Sequence, residues 1–292
     1  MSDKNEFYNR EVIKDGGIVL LAIFILTFLS SLPMLAILVY YIWPIPLVYF
    51  IVKHDINKAL IIIVITALIY GLLWDMSLAI YAILGFGLIG FVLGAAVKEN
   101  FSALRTLLLA ITAVILSDTL LLWIAPGVLN INLSELSQEI IDGLAAQPEL
   151  AEFSALIEQQ LALVEVLYPS MMIITSIISG ILIYYLALWF LRRTGLKKQV
   201  YKPLRNWQFP PWIILTGLVL SIIFRGNLIF ANALFVIIFL LFLQGFAVGL
   251  YYIHKKQSAF LTVIYVMAAI FLSYIVILIG LVDLWFNFRK LK

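Results

Sequence analysis

The stretch ITAVILSDTLLLWIAPG, Ile111 to Gly127, places one carboxylate, Asp118, inside an otherwise apolar run. As a helix rising 1.5 Å per residue it is ~25 Å long. That is close to the ~30 Å of hydrocarbon a membrane presents. Two questions follow: whether this is a membrane crossing, and what a carboxylate does within one.

The rest of the chain answers the first. Of 292 residues, 64% are hydrophobic and 12% charged, with a mean hydropathy of +1.12; soluble domains carry about 25% charged residues. Apolar runs long enough to cross a bilayer recur along the whole length. The fold class is all-α, a polytopic transmembrane helical bundle. Nine spans are expected near 17–32, 34–52, 57–74, 77–97, 105–125, 167–191, 211–224, 228–252 and 259–282, with eight as the alternative. Pro44 and Pro46 are expected to kink or partly unwind the second. Met1–Asp15 is long and mixed in charge, and no A-x-A site follows the first apolar run, so a removable signal is not expected.

Basic residues collect on the cytoplasmic side of membrane proteins. With the N-terminus inside, fifteen of the nineteen Lys and Arg fall in inner segments, and none lies between Arg105 and Arg192. The 127–166 loop carries acids instead, from Glu135 to Glu165, and is expected outside. Location in a bacterial cytoplasmic membrane with a cytoplasmic N-terminus follows. The ending FNFRKLK conflicts with nine spans, because it would put Arg289, Lys290 and Lys292 outside; eight spans would bring it back in.

The outer loop is expected to hold helices. Asn132 with Glu135 three residues on forms a capping-box arrangement, and Pro148 suits a first helical position. Leu150, Phe153, Ile157, Leu161 and Val164 then share one face, as in an amphipathic helix on the membrane surface or a lid over the bundle. The linker at 196–210, within a run rich in Lys and Arg from Arg192 to Arg205, divides a six-span module (1–195) from a three-span module (211–292). Such a basic run anchors topology and can also meet anionic lipid or a cytosolic partner.

Several chemistries are absent. Cysteine does not occur, which excludes disulfides and thiolate catalysis. His54 and His254 sit beside lysines at membrane edges and read as interfacial residues, so no metal site is expected. No G-x-x-x-x-G-K-[ST], H-E-x-x-H or G-x-S-x-G is present, and an aspartyl dyad of Asp75 and Asp118 lacks the sequence contexts such proteases use. No catalytic residue, cofactor or nucleic-acid partner is expected; the chain does not read as an enzyme.

Small residues mark helix-packing faces: Gly87, Gly90 and Gly94 in the fourth span, Ser176 and Gly180 in the sixth, Gly245 and Gly249 in the eighth. Their spacing lets helices approach closely where lipid supplies no hydrophobic drive. They pack within the chain or meet a partner subunit.

Asp118 lies ~20 Å along its span from Arg105, in the outer half of the bilayer. A carboxylate costs about 2.5–3.5 kcal/mol at mid-membrane on insertion scales and must face a partner or a cavity. The outer turn LLWDMS brings Trp74 and Asp75 to the same side, and Trp123 lies five residues beyond Asp118. Trp74, Asp75, Asp118 and Trp123 are therefore the candidate ligand-binding residues. The alternative is a hydrogen-bonded Asp118 with the tryptophans as interfacial anchors.

The arrangement WPIPLVYFIVKHDINKAL, the glycine-rich fourth span, LLFLQGFAVGLYYIHKK and the ending GLVDLWFNFRK resemble the YybS-like family of bacterial integral membrane proteins of unknown function. That family is similar, over its first six spans, to the substrate-binding components of energy-coupling-factor vitamin transporters. The resemblance implies capture of a small molecule from outside and docking on an ATPase-driven module. Two departures stand against it: the first span lacks the alanine-x-x-x-alanine docking spacing, and the three C-terminal spans have no counterpart. A non-transporting scaffold or regulator of envelope proteins is the other expectation.

Overall fold

The computed structural model describes residues 2–128, 139, 142–143, 151–196, 203–225 and 227–291. Among these residues there are helices and short connections and no strand. Each of the nine expected spans is helical. Seven stretches are long and apolar enough to cross a membrane: Arg10–Ser30, Pro33–Lys53, Ile56–Leu73, Met76–Lys98, Ala103–Ile124, Gln159–Arg193 and Leu228–His254. The chain divides into two compact units, residues 1–139 with 175–200, and 140–174 with 201–292.

In the first unit, α1 (Ser2–Ser30) leads to a second span broken as its prolines require, into α2 (Pro33–Ile42) and α3 (Ile45–Lys53). Trp43 and Pro44 form the break, since proline removes a backbone donor and crowds the preceding turn. After α4 (Ile56–Leu73), the Asp75 carboxylate accepts from the Leu78 N–H at 3.0 Å and caps α5 (Met76–Ala82). A wide turn at Ile83–Gly87 then interrupts the fourth span, with Gly85 at φ −77°, ψ −110°, before α6 (Leu88–Lys98) resumes. The unit is completed by α7 (Ala103–Val128) and the C-terminal part of α8 (Ala151–Arg193).

Close approach here depends on the absence of side chains. A Cβ on Gly90 would lie 2.9 Å from the Pro44 carbonyl oxygen, and one on Gly94 2.8 Å from Ile51 Cδ1. These contacts advance together along α3 and α6, so the second and fourth spans run parallel. On α8, a Cβ on Gly180 would come within 2.7 Å of Ile111 Cα on α7. Around α1, α3 and α4 the core holds Val19, Ile23, Leu47, Phe50, Ile51 and Tyr70. At one end, the Asp15 carboxylate lies 2.6 Å from both Lys53 Nζ and the buried His54 Nε2, and Lys98 Nζ donates to the His54 carbonyl. The starts and ends of alternate spans therefore meet at one level, as successive crossings demand.

The second unit contains the N-terminal part of α8, then α9 (Pro211–Ile223), α10 (Leu228–His254), α11 (Ala259–Phe271) and α12 (Ser273–Phe286). The outer-loop reading changes here. The capping box from Asn132 lies outside the described residues, but from Ala151 onward the expected amphipathic helix is not a separate element. It continues without interruption into the sixth span through Pro169. A side chain makes this continuity tolerable. Ser170 N–H, which would ordinarily bond the Val166 carbonyl, donates instead to Asn232 Oδ1 at 2.9 Å, while Asn232 Nδ2 donates to the Val166 carbonyl at 2.8 Å. One amide thus bridges a backbone pair opened beside the proline, satisfying groups that hydrocarbon would leave bare.

The last span is likewise not one rod. α11 and α12 meet at 99° around Leu272. α9, at 13 residues, is ~20 Å long and shorter than a full crossing.

Asn232→Leu removes both bridging bonds at once. Stranding a buried donor or acceptor costs about 1–3 kcal/mol, so the variant is expected to unfold at clearly lower denaturant in mixed micelles, whereas Asn232→Gln recovers part of the loss. Equal stability of all three proteins would contradict the bridge.

Candidate functional site

The four residues nominated from the sequence have separate surroundings. Trp74 ends α4 and packs its ring 5.5 Å from Phe24 and 5.5 Å from Tyr70. Asp75 is a fully exposed helix cap, and the Ser77 side chain and Leu78 N–H hold its carboxyl below the ordinary range. Trp123 is 81% exposed, an orientation that suits an interfacial anchor. Asp118 alone turns to a cluster of polar side chains. Beside it, the Trp43 ring lies 5.4 Å from the Tyr81 ring. Among the described contacts, Trp74 and Asp75 meet residues other than Asp118.

What the structure builds is a site centred on Asp118. Ser176 Oγ on α8 donates to Asp118 Oδ2 at 2.7 Å, and the Tyr40 hydroxyl on α2 approaches Oδ1 at 3.5 Å. The buried Ser179 side chain also lies beside Tyr40, and Tyr81 stands near both Tyr40 and Asp118. Each neighbour arrives for a local reason. Ser176 and Ser179 lie one helical turn apart on the face of α8 that meets α7. Tyr40 is in the last turn before the Trp43–Pro44 break. Tyr81 precedes the Gly85 interruption, and its ring would sit 3.0 Å from any Cβ placed there. Trp43, buried, stacks on Phe86 at 5.0 Å with ring planes 9° apart. The carboxylate therefore meets the points where the second and fourth spans lose regular helix, a place where wide turns often accompany function.

The chemistry is specific. Asp118 receives neutral hydroxyl donors; the Lys53–Asp15 and Arg289–Asp283 ion pairs are made by other groups. A carboxylate so placed complements positive charge or additional hydrogen-bond donors. Among the described residues, no three His, Cys, Asp or Glu side chains come together as a metal cluster would require.

A second polar cluster, in the other unit, escaped the sequence reading. Gln244 on α10, Asp283 on α12 and Arg289 just beyond it are all buried. Asp283 Oδ2 accepts from Gln244 Nε2 at 2.7 Å and from Arg289 Nη2 at 2.9 Å, and Phe288 N–H donates to Oδ1 at 3.1 Å. Arg289 Nη1 donates to the Arg205 carbonyl at 2.8 Å, and Phe209 N–H to Gln244 Oε1 at 3.0 Å. The signal was the one that exposed Asp118: a single amide in LLFLQGFAVGL and a single carboxylate in IGLVDLWF, each inside an apolar run.

Helices of this length and apolarity define a multi-pass membrane protein. Comparison with known proteins gives the family. The family model described as "Predicted membrane protein (DUF2232)" matches residues 19–284, and the chain belongs to that family. It is 30% identical over 148 residues to the "Uncharacterized protein YybS" of Bacillus subtilis (strain 168), a match covering 46% of this chain and 48% of that protein. The chain thus spans about half the length of this curated relative. No solved structure matches.

Asp118→Asn keeps the capacity to accept from Ser176 and Tyr40, and is expected to change thermal stability in detergent by no more than about 1–2 kcal/mol. Asp118→Leu takes this acceptor away from both hydroxyls and is expected to cost more. A Leu variant clearly more stable than the wild type would mean that the carboxylate is a burden kept for function.

Proposed function

We propose that the protein is a substrate-binding membrane component that holds a small molecule at the Asp118 cluster and depends on a separate energising partner, such as an ATPase-driven module. The observation that carries this reading is Asp118 itself: an intramembrane carboxylate attended by neutral hydroxyls, beside the breaks in two neighbouring spans. Polar groups at such depth are costly and concentrate on substrate and ion pathways, and interrupted helices commonly line midplane binding sites. The ligand that fits best brings a cationic or strongly hydrogen-bond-donating group to the carboxylate, with the rings of Tyr40 and Tyr81 adding aromatic faces to the contact. The role is binding rather than catalysis. The same reading places the protein in a bacterial cytoplasmic membrane with the basic segments and the N-terminus facing the cytoplasm.

Native mass spectrometry of the detergent-purified full chain tests it. A retained small molecule is expected on the wild type. Its occupancy should fall about tenfold or more in Asp118→Asn, the loss expected when a contact to a charged group worth about 1.5–3 kcal/mol is removed. A wild type carrying lipid alone, or a ligand held equally by both proteins, would overturn the reading in favour of a scaffold role.

A further inference from the structure

We infer that the last two helices do not cross the membrane but form a re-entrant hairpin, entering and leaving at the end of α10 marked by His254, with its return clamped by Arg289. Helix lengths permit two arrangements. In series, the 13 residues of α11 and 14 of α12 would be long enough to span a bilayer. The end of α12 would then lie level with Asn227, at the start of α10. Side-chain contacts decide against this. The Tyr252 hydroxyl, one turn from the end of α10, donates to the Phe288 carbonyl at 3.0 Å. Asn227 lies 25 residues back along the same helix, ~37 Å away at 1.5 Å per residue. A chain that had crossed could not make this bond.

The remaining contacts fix the directions of both arms. Tyr265 on α11 stacks on Phe246, and its hydroxyl reaches the Gly245 and Phe246 carbonyls at 3.3 Å. Counted from the connection at 255–258, these residues are at similar distances along the two helices, so α11 runs back along α10. α12 then turns toward the same end of α10: Gly280 meets Leu241 and Gly245 where the two helices cross, and eight residues further on Phe288 meets Tyr252, nearer the His254 end. A Cβ on Gly245 would collide with the Val276 carbonyl, and one on Gly280 with that of Leu241. The two backbones are therefore in direct contact at the crossing.

Return into the bilayer brings a charged residue down with it, and this is where the buried cluster acts. Arg289 closes on Asp283 and on the Arg205 carbonyl, tying the segment after α12 to the basic linker. The planar guanidinium holds two separate acceptors at once, Nη2 on the Asp283 carboxylate and Nη1 on the Arg205 carbonyl. In this arrangement Arg289 and Lys290 share a membrane face with Lys255 and Lys256, and the conflict between the basic tail and the positive-inside rule disappears.

The cysteine-free chain makes the test direct. Single cysteines are introduced as Asn227→Cys, Lys256→Cys and Lys290→Cys, and the full-length protein in membranes of known orientation is treated with a membrane-impermeant maleimide. Lys256→Cys and Lys290→Cys are expected to react from one face and Asn227→Cys from the other. Reaction of Lys290→Cys from the Asn227 face would overturn the hairpin. Adding Arg289→Gln to Lys290→Cys is expected to speed labelling about tenfold, as release of a contact of ~1.4 kcal/mol would. An unchanged rate in a folded protein would overturn the clamp. If that double variant fails to fold, the three single cysteines still decide the topology.

Discussion

Hydrocarbon offers no hydrogen bonds. A helix satisfies its own backbone, but any polar side chain or interrupted backbone pair inside a span must find its partner within the protein. This single constraint organises what is distinctive in the chain. Asp118 is met by Ser176 and Tyr40, the backbone pair beside Pro169 by the Asn232 amide, and Asp283 by Gln244 and Arg289. In each case residues far apart in sequence are drawn onto one group, and the helices that carry them are fixed relative to one another as a result.

The interruptions follow the same rule. Trp43–Pro44 and Ile83–Gly87 break two helices, yet both breaks are packed inside the first unit, where Trp43 stacks on Phe86 and the Pro44 carbonyl faces Gly90. Irregular backbone is tolerated at membrane depth when protein covers it. The glycines that read as surfaces for close approach find neighbours in this chain: Gly94 against Ile51, Gly180 against Ile111, Gly245 against Gly280. Lipid supplies no hydrophobic drive between helices, so such contacts and the buried polar bonds carry the association.

The sequence made the spans and the oddity of Asp118 legible, because both are local: apolar length and one charge out of place. It did not reveal the partners of Asp118. Ser176 is 58 residues away and Tyr40 78, and nothing in the spacing of a hydroxyl announces which carboxylate it will meet. Trp74, Asp75 and Trp123 share with Asp118 an expected depth and no more; Trp74 packs on Phe24 and Tyr70, and Asp75 caps a helix. Gln244 and Asp283 carry the same signal as Asp118, one polar residue inside an apolar run, yet nothing in their spacing pairs them with each other or with Arg289. The bend at Leu272 has no proline or glycine to mark it, and the contact between Tyr252 and Phe288 joins residues 36 apart whose spacing announces nothing.

The claim that polar satisfaction inside the membrane holds the first unit together is tested most directly by a double-mutant cycle on its central pair. Unfolding free energies in mixed micelles would be measured for the wild type, Asp118→Ala, Ser176→Ala and the double variant. A coupling of about 1 kcal/mol or more is expected, since the two side chains share a hydrogen bond to a carboxyl group. Additivity to within about 0.3–0.5 kcal/mol, the behaviour of independent sites, would contradict it.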